Sequence, residues 1–305
     1  MSYEDPKTLK DIGQPKHHGP FAAAIYMMAA MIFFATMGIF IRLSADQIHP
    51  LVVVFFRNFL AVLMMLPWIL QQGPAVMKTR RLGLYTTRAV INIIGMAAGF
   101  TAITLIPLAE ATAISFTTPL FASLGAILFL GEIIRIRRVT GLVAGFLGIM
   151  IVIRPGLEAV SAGALLAIAN SVTIAVTVLL VKKLTETERP ETIVTYMVVL
   201  QTPLALIPAL LFWEWPAVIT WLWLICLAGA GTIGHLCYTR AYQLAEISQI
   251  QPIDFVRLPI IAVMGYILFD ETPTMWTWIG AAVIFASAAY VTHHEAKLAR
   301  RPRVP

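Results

Sequence analysis

The chain has 305 residues, of which 59% are hydrophobic and 12% are charged, and its mean hydropathy is +0.83. A soluble domain carries roughly 25% charged residues, and a soluble chain of this length could not bury so much apolar surface in one core. The composition therefore argues against a soluble enzyme. The net charge of +6 does not require a nucleic-acid partner, because the cytoplasmic loops of membrane proteins collect Lys and Arg.

Ten apolar segments follow a polar stretch, residues 1–20. Most are near the roughly 20 residues with which a helix crosses a bilayer, and they lack the alternating pattern of barrel strands. We therefore predict an all-α integral membrane protein with ten transmembrane helices. In chain order, the predicted spans 1 to 10 cover approximately residues 21–42, 50–70, 83–105, 108–130, 139–154, 160–181, 191–212, 218–240, 246–269 and 275–292.

The distribution of basic residues predicts how these spans are oriented. If the N-terminus is cytoplasmic, sixteen Lys and Arg fall on the cytoplasmic side and two, Arg42 and Arg154, fall on the other. Span 1 is too long for the core of a signal peptide. Both termini, with the tails 1–20 and 293–305, are therefore expected in the cytoplasm of a bacterium, and the chain is expected to be a multi-pass protein of its inner membrane.

The second half of the chain repeats the first at an offset near 139 residues. The string GAILFLGE at 125–132 returns as GYILFDE at 265–271. Two glycine pairs follow the same offset, Gly95 with Gly234 and Gly141 with Gly280. Because each half holds five spans, an odd number, the second half must be inverted. We predict two inverted five-helix repeats, residues 21–156 and 157–292, a construction typical of transporters that bind substrate at the repeat interface.

Four strings carry a resemblance to a known family. In each half the fourth span ends in GE or DE before the fifth, and this arrangement resembles the EamA family of the drug/metabolite transporter superfamily. The strings are FFRNFLAVLMMLP (55–67), AEATAISFTTPLFASLGAILFLGE (109–132), RVTGLVAGFLGIMIVIRPG (138–156) and PIDFVRLPIIAVMGYILFDE (252–271). The resemblance covers residues 21–292. It implies a central cavity between the repeats that opens alternately to each side of the membrane.

The expected function is secondary transport of small polar metabolites by alternating access, without a cofactor. Uptake of S-adenosylmethionine or a similar cofactor is an alternative, because FFR in span 2 and SFTTPLF in span 4 look like that branch of the superfamily. A channel-like facilitator and an integral-membrane enzyme are more distant alternatives. The sequence has no HExxH, no GxSxG, no phosphate-binding loop ending in GK and no Cys/His cluster, so no enzyme motif and no metal site are expected.

Four ionisable residues lie deep in apolar spans, where a charge costs at least a few kcal/mol and by default marks a pathway or a pair. On a helix, Asp254 and Arg257 of span 9 would share one face and lie close enough to pair. They form either a structural ion pair or part of the cavity wall. Arg57 of span 2 is expected to be buried, binding an anionic group or fixing span 2 against span 1. Arg88 of span 3 either extends toward the cytoplasmic interface or contributes to substrate binding.

Three arginines against one aspartate favour a substrate with a carboxylate or a phosphate. Polar residues that we expect to accompany them in the cavity are Asn92, His235, Tyr238 and Gln251. The expected partners are thus a small-molecule substrate and the lipid bilayer, with no nucleic acid, and a homodimer is left open.

Two acids and three prolines complete the candidate residues. Glu110 and Glu246 begin spans 4 and 9, where they either stabilise the helix N-terminus or couple transport to protons. Prolines interrupt the helical hydrogen bonding of the same two spans, and in span 4 the carbonyl of Ser115 loses its partner. These helix-breaking residues are Pro119, Pro252 and Pro259.

Overall fold

The structure is a computed structural model that describes residues 20–73, 79–130, 136–153, 161–245 and 250–299. Throughout these ranges the regular structure is helical. The helices are α1 (Pro20–Ala45), α2 (Pro50–Gln72), α3 (Leu82–Leu105), α4 (Leu108–Ser115), α5 (Thr118–Leu130), α6 (Ile136–Ile153), α7 (Ala162–Thr185), α8 (Pro190–Leu210), α9 (Val218–Leu244), a 3-10 helix (Gln251–Val256), α10 (Arg257–Phe269) and α11 (Met275–Ala299).

Helix boundaries follow local sequence signals. Pro50 and Pro190 occupy the first position of α2 and α8, where the missing N–H of proline is not needed. The hydroxyl of Ser161 accepts a hydrogen bond from the N–H of Ala164 at 3.1 Å and so caps α7. At the other end of α10, Asp270 adopts the left-handed conformation, with φ of 54°, that ends a helix.

Six helices, α1, α2, α3, α7, α8 and α9, are long and apolar enough to cross a membrane. Shorter apolar stretches lie in α6 and α11, at Thr140–Ile153 and Met275–Ser287. Large apolar side chains lie on the outside of the bundle, for example Val218, which is 91% exposed. In water such a surface would aggregate, whereas in lipid it is the normal contact surface. The chain is therefore a multi-pass membrane protein.

Contacts between the two halves of the chain come in equivalent pairs. The helix α3 packs along α7, and α1 packs along α9. A methyl group on Gly95 of α3 would lie 2.0 Å from the hydroxyl of Thr173 of α7. The same approach recurs 139 positions away, where a methyl group on Gly234 of α9 would lie 2.8 Å from the ring of Phe34 of α1. Glycine is thus required at the same place in both crossings.

The spans numbered 4 and 9 are broken, and they are broken at equivalent positions. Span 4 divides into α4 and α5, and span 9 begins as the 3-10 helix and continues as α10. The second part begins at Thr118 in one case and at Arg257 in the other, again 139 residues apart. Each of these spans thus contains two helical pieces, in the region where the sequence predicted that proline interrupts the helical hydrogen bonding.

The carbonyls released by these prolines find other donors. Pro119 has no N–H to donate to the carbonyl of Ser115, four residues earlier. This carbonyl instead accepts a hydrogen bond from the hydroxyl of Thr118 at 2.7 Å. The N–H of Arg257 is directed to the carbonyls of Asp254 and Phe255. Pro252 lies within the 3-10 helix, and Pro259 in the first turn of α10. Hydroxyls and a tighter helical turn thus satisfy backbone groups that lipid could not.

A test of the close packing uses Gly148 of α6. A methyl group at this position would lie 2.6 Å from Cγ1 of Ile284 and 3.1 Å from the carbonyl oxygen of Gly280, both in α11. Backbone atoms cannot move aside as a side chain can, so Gly148→Ala should separate α6 from α11 and cost about 1–3 kcal/mol. We expect the thermal unfolding temperature in detergent to fall by several degrees.

The matched control is Gly125→Ala in α5, where an added methyl group meets nothing within 4 Å. Alanine is the better helix former, so this variant should unfold at an unchanged or higher temperature. Equal unfolding temperatures for the two variants would contradict the tight α6–α11 contact.

Candidate functional site

A cavity of about 200 Å³ lies between the two halves of the chain. Its walls are formed by α1, α3, α4, α7, α9 and the segment from the 3-10 helix into α10. Six of the eight residues that we predicted for substrate binding line it: Arg88, Asn92, His235, Tyr238, Asp254 and Arg257. Arg57 lies behind the wall, and the side chain of Gln251 lies outside the described part of the structure.

The first wall carries Asp254 and Arg257, which do not form the predicted pair. Nη2 of Arg257 donates to Oγ of Ser115 at 2.5 Å, and its guanidinium lies 5.9 Å from the centre of the Phe116 ring. Among the described residues, no ion pair within 4 Å joins the two charged groups. Of the two alternatives that the sequence left open, the structural ion pair is not formed, because Ser115 and Phe116, on α4 and at its end, compete for the arginine from across the repeat interface.

Asp254 is consequently left with its acceptor oxygens available. In the described ranges its carboxylate takes part in no hydrogen bond, although it remains close enough to Arg257 to interact with its charge. Ser115 by contrast is fully used, because its hydroxyl accepts from Arg257 and donates to the carbonyl of Thr112 at 2.7 Å. The free acceptor on this wall is therefore the carboxylate.

The second wall carries Arg88 and His235. Arg88 is only 2% exposed; its Nη1 donates to the carbonyl of Ile193 and its Nη2 to Sδ of Met197, both at 3.3 Å. Its Nε has no partner among the described residues. Of the two alternatives for Arg88, extension toward the cytoplasmic interface is not what the structure shows, because acceptors on α8 draw the guanidinium into the protein instead.

Arg57 is completely buried, with 0% exposure, one layer behind the second wall. Its Nη1 donates to Oδ1 of Asn58 at 3.1 Å, whereas Nε and Nη2 have no partner in the part of the chain that the structure describes. The guanidinium packs against Gly231 of α9, where a methyl group would lie 2.9 Å from Nη2. Gly231 is one helical turn before His235, so Arg57 adds positive charge directly behind the cavity wall.

Aromatic side chains extend along the cavity between α1 and α9. The ring of Phe34 meets His235 edge to face at 5.0 Å and Tyr238 at 5.7 Å. Hydroxyls of Tyr242 and Tyr238 are joined by a hydrogen bond of 2.9 Å. Phe34 was not predicted, since one phenylalanine in an apolar span carries no signal of its own.

Asn170 of α7 is a further polar residue of the cavity. It lines the cavity, and its Nδ2 would lie 2.7 Å from a methyl group on Gly99. Gly95 and Gly99 form a G-x-x-x-G pattern on α3, which permits close helix approach. The G-x-x-x-G pattern indicates that another helix approaches α3 closely, and Asn170 is the side chain of that helix that lies against Gly99 and reaches the cavity.

One end of the cavity is tied by a group that we call the Arg42 clasp. Nη1 of Arg42 donates to the carbonyls of Ile103 and Ile106 at 3.0 and 3.2 Å, and forms an ion pair with Glu271 at 2.5 Å. Oε2 of Glu271 accepts from the N–H of Leu108 at 2.8 Å. The first N–H of α4 is thus capped by Glu271, while Glu110 lies half-buried in the first turn of the same helix.

A second clasp repeats this arrangement with Lys182, which is 140 positions after Arg42. Its Nζ donates to the carbonyls of Tyr242 and Ala245 at 2.8 and 2.9 Å, and these residues follow Ile103 and Ile106 by 139 positions. Tyr242 shares a core cluster with Met27 near the start of α1, whereas Arg42 lies near its end. The two clasps are therefore about 22 Å apart along α1. The other predicted acid, Glu246, lies outside the described residues.

The arrangement defines a class of protein: a helical membrane protein with a polar cavity enclosed between two equivalent halves. A model of the EamA-like transporter family matches residues 21–154 and again 161–292. The chain belongs to this family.

Among its relatives, a "Riboflavin transporter" of Vibrio cholerae is 31% identical over 295 residues, covering 94% of this chain and 98% of the relative. A "Riboflavin transporter" of Rhizobium johnstonii is 32% identical over 286 residues, covering 92% and 93%. An "S-adenosylmethionine uptake transporter" of Rickettsia bellii is 25% identical over 251 residues, covering 82% and 86%. The chain is a transporter of small metabolites.

A solved crystal structure has the same fold, with a TM-score of 0.63 at 18% identity, covering 91% of this chain and 99% of that one. At this level of identity the likeness concerns the fold alone. It shows that the arrangement of helices around the cavity occurs in another protein.

The contrast between Arg57 and Arg42 gives a test of which arginine serves stability. Arg57 leaves two buried nitrogens without partners, while Arg42 binds two carbonyls and a carboxylate. Replacing an uncompensated buried charge by an apolar side chain of similar length removes a desolvation cost, so Arg57→Met should raise the unfolding temperature in detergent by a few degrees. Arg42→Met should lower it, because it leaves Glu271 unpaired.

Both variants can be measured by intrinsic fluorescence during heating. A loss of stability in Arg57→Met as large as that in Arg42→Met would assign Arg57 a structural role. A gain would mean that the chain retains the charge at the expense of stability, as functional sites commonly do.

Proposed function

We propose that the chain is a secondary transporter of the bacterial inner membrane that works by alternating access and carries riboflavin. Ten membrane spans in two inverted five-helix repeats, 21–156 and 157–292, with both termini cytoplasmic, would provide the architecture. Support comes from the offset of about 139 residues, which relates the helix crossings, the breaks in spans 4 and 9, and the two clasps. Whether the chain works as a monomer or a homodimer stays a prediction.

The two clasps are the observation that carries the alternating-access mechanism. Each one ties a basic side chain at the end of one helix to the carbonyls that end its neighbour, and each includes a residue of the cavity wall. A channel needs a continuous path, whereas two closures at opposite ends suit a carrier that opens one at a time. The cavity of about 200 Å³ is below the roughly 300 Å³ of small ligand pockets, so a substrate would bind as one end opens.

Riboflavin is the substrate that the relatives and the cavity favour together. The two relatives that carry this name match over more of the chain, and at higher identity, than the S-adenosylmethionine transporter of Rickettsia bellii. S-adenosylmethionine carries a net positive charge, from a sulfonium and an ammonium group against one carboxylate, and in the lining Arg88 and Arg257 outnumber Asp254. Riboflavin is neutral at pH 7 and rich in acceptor atoms, so it suits the basic wall better. The anion expected from the sequence is replaced in this proposal by a neutral acceptor-rich molecule.

Purified protein in liposomes tests the function. With unlabelled riboflavin trapped inside, we expect labelled riboflavin outside to enter faster than into liposomes without trapped substrate, because a carrier reorients faster when loaded. Excess S-adenosylmethionine should not slow this entry. Entry without such acceleration would indicate a channel-like facilitator. If labelled riboflavin does not enter, but labelled S-adenosylmethionine enters faster when unlabelled S-adenosylmethionine is trapped inside, the substrate is S-adenosylmethionine instead.

The clasps can be tested separately by accessibility. In a chain with Cys226 and Cys237 replaced by Ala, the cavity residue Ala111 is changed to Cys and labelled with a membrane-impermeant reagent from either side. We expect Arg42→Gln to increase labelling several-fold from one side and Lys182→Gln from the opposite side, because each removes the hydrogen bonds of one clasp.

A matched control is Arg240→Gln, since Arg240 contacts Gln243 on its own helix. It should leave labelling from both sides unchanged. Increased labelling from the same side in both clasp variants would contradict a pair of opposite closures.

A further inference from the structure

The two walls of the cavity differ in the groups that they offer. Arg88 and His235 lie on the wall backed by α8, because Arg88 contacts Ile193 and Met197 of that helix. Asp254 lines the cavity from the 3-10 helix, which packs on α11 through Phe255 and Phe285 at 4.3 Å. A ligand between these walls meets donors on one side and a carboxylate on the other.

The basic wall has more donors than acceptors. Nε of Arg88 has no partner among the described residues. Nε and Nη2 of Arg57 have none there either, but they are buried behind the wall, where a ligand in the cavity does not reach them. Arg57, Arg88 and His235 lie near enough to interact with one another electrostatically, and among the described residues no carboxylate forms an ion pair within 4 Å with any of them. Unpartnered donors in a low-dielectric interior are costly, so a ligand that brings acceptor atoms gains more here than it would in water.

The opposite wall has the complementary imbalance. The Asp254 carboxylate is an acceptor without a hydrogen-bonded partner in the described ranges. The neighbouring Arg257 is held by Ser115 through Nη2, although its Nε also has no partner there. An ionised carboxylate can accept about four hydrogen bonds and donates none. Hydroxyl groups of a ligand are the donors that fit it without adding a charge.

Riboflavin divides into two parts with these same properties. Its planar ring system carries two carbonyl oxygens and ring nitrogens on one edge, all of them acceptors except one N–H. Its ribityl chain carries four hydroxyls. The rings of Phe34 and Tyr238 contact each other at a centroid distance of 5.7 Å. Together they offer an aromatic surface in the cavity for the planar ring of the flavin.

We propose that the cavity binds a flavin in one orientation, with the carbonyl edge of the ring at Arg88 and His235 and the ribityl hydroxyls at Asp254. This inference rests on the proposed function, and it makes Asp254 the residue that recognises the chain of the ligand. Arg57 lies behind the same wall and adds positive charge to it. The site distinguishes riboflavin from flavins that lack the hydroxylated chain.

The test compares two neutral ligands, riboflavin and lumiflavin, which has a methyl group in place of the ribityl chain. Their dissociation constants are measured with detergent-purified protein from the quenching of flavin fluorescence. Asp254→Asn should weaken riboflavin binding about tenfold, the loss expected for hydrogen bonds to a charged group, and change lumiflavin binding less than about twofold. Arg88→Gln should weaken both ligands by the same factor.

Controls separate the orientation from the function. Asp46→Asn, an exposed acid at the end of α1, should change neither constant. If Asp254→Asn does not yield folded protein, Asp254→Ser gives the same comparison. Equal weakening of both ligands by the Asp254 variants would overturn the orientation while leaving riboflavin transport standing. A selective loss of riboflavin in Arg88→Gln would overturn it as well. Folded wild-type protein that binds neither ligand would overturn the proposed function, and the orientation with it.

Discussion

Two helix crossings, α3 with α7 and α1 with α9, hold the halves of the chain together around the cavity. In lipid the association of helices gains little from the hydrophobic effect, so it depends on close packing and on hydrogen bonds between helices. Gly95 and Gly234 make these contacts close enough, since a side chain at either position would overlap Thr173 or Phe34. The cavity exists because the helices approach at these points and diverge beside them, where Asn170 and His235 reach its wall.

The same lack of water separates the basic residues of the chain into two kinds. Arg42 and Lys182 each bind carbonyls at a helix end, where the last turn leaves acceptors without partners, so their charge is used by the fold. Arg57 and Arg88 are buried more completely yet keep nitrogens without partners. A cost of this kind persists in a structure when the group has a function that compensates for it. In the mechanism that we propose, the residues with satisfied hydrogen bonds lie at the two ends that open, and the unsatisfied residues lie at the wall that binds the substrate.

Much of this fold could be predicted from the sequence, because the length of an apolar segment is a local property that a bilayer imposes on each span. The positions of deep charges followed from the same reasoning. The partners of those charges did not, because they lie across the repeat interface: Ser115 is 142 residues from Arg257, and Glu271 caps a helix that begins 163 residues earlier. The rule that places residues three apart on one helical face identified Asp254 and Arg257 as neighbours but said nothing about a competing hydroxyl.

The repeat offset is the part of the sequence from which more could have been inferred. It places Ser115 in register with Asp254 and Thr118 in register with Arg257, so the contact between Arg257 and Ser115 joins two positions that are not equivalent to each other. In the two clasps, by contrast, both halves have a basic side chain that donates to carbonyls at equivalent positions. In the glycine contacts, both halves have a glycine that allows a close helix approach at equivalent positions. Equivalence is what a protein needs if it is to present the same cavity to both sides of a membrane in turn. A ligand without two-fold symmetry needs the opposite, namely equivalent positions that carry different chemistry. The serine and threonine of one half, set against the aspartate and arginine of the other, supply that difference at the centre of the cavity.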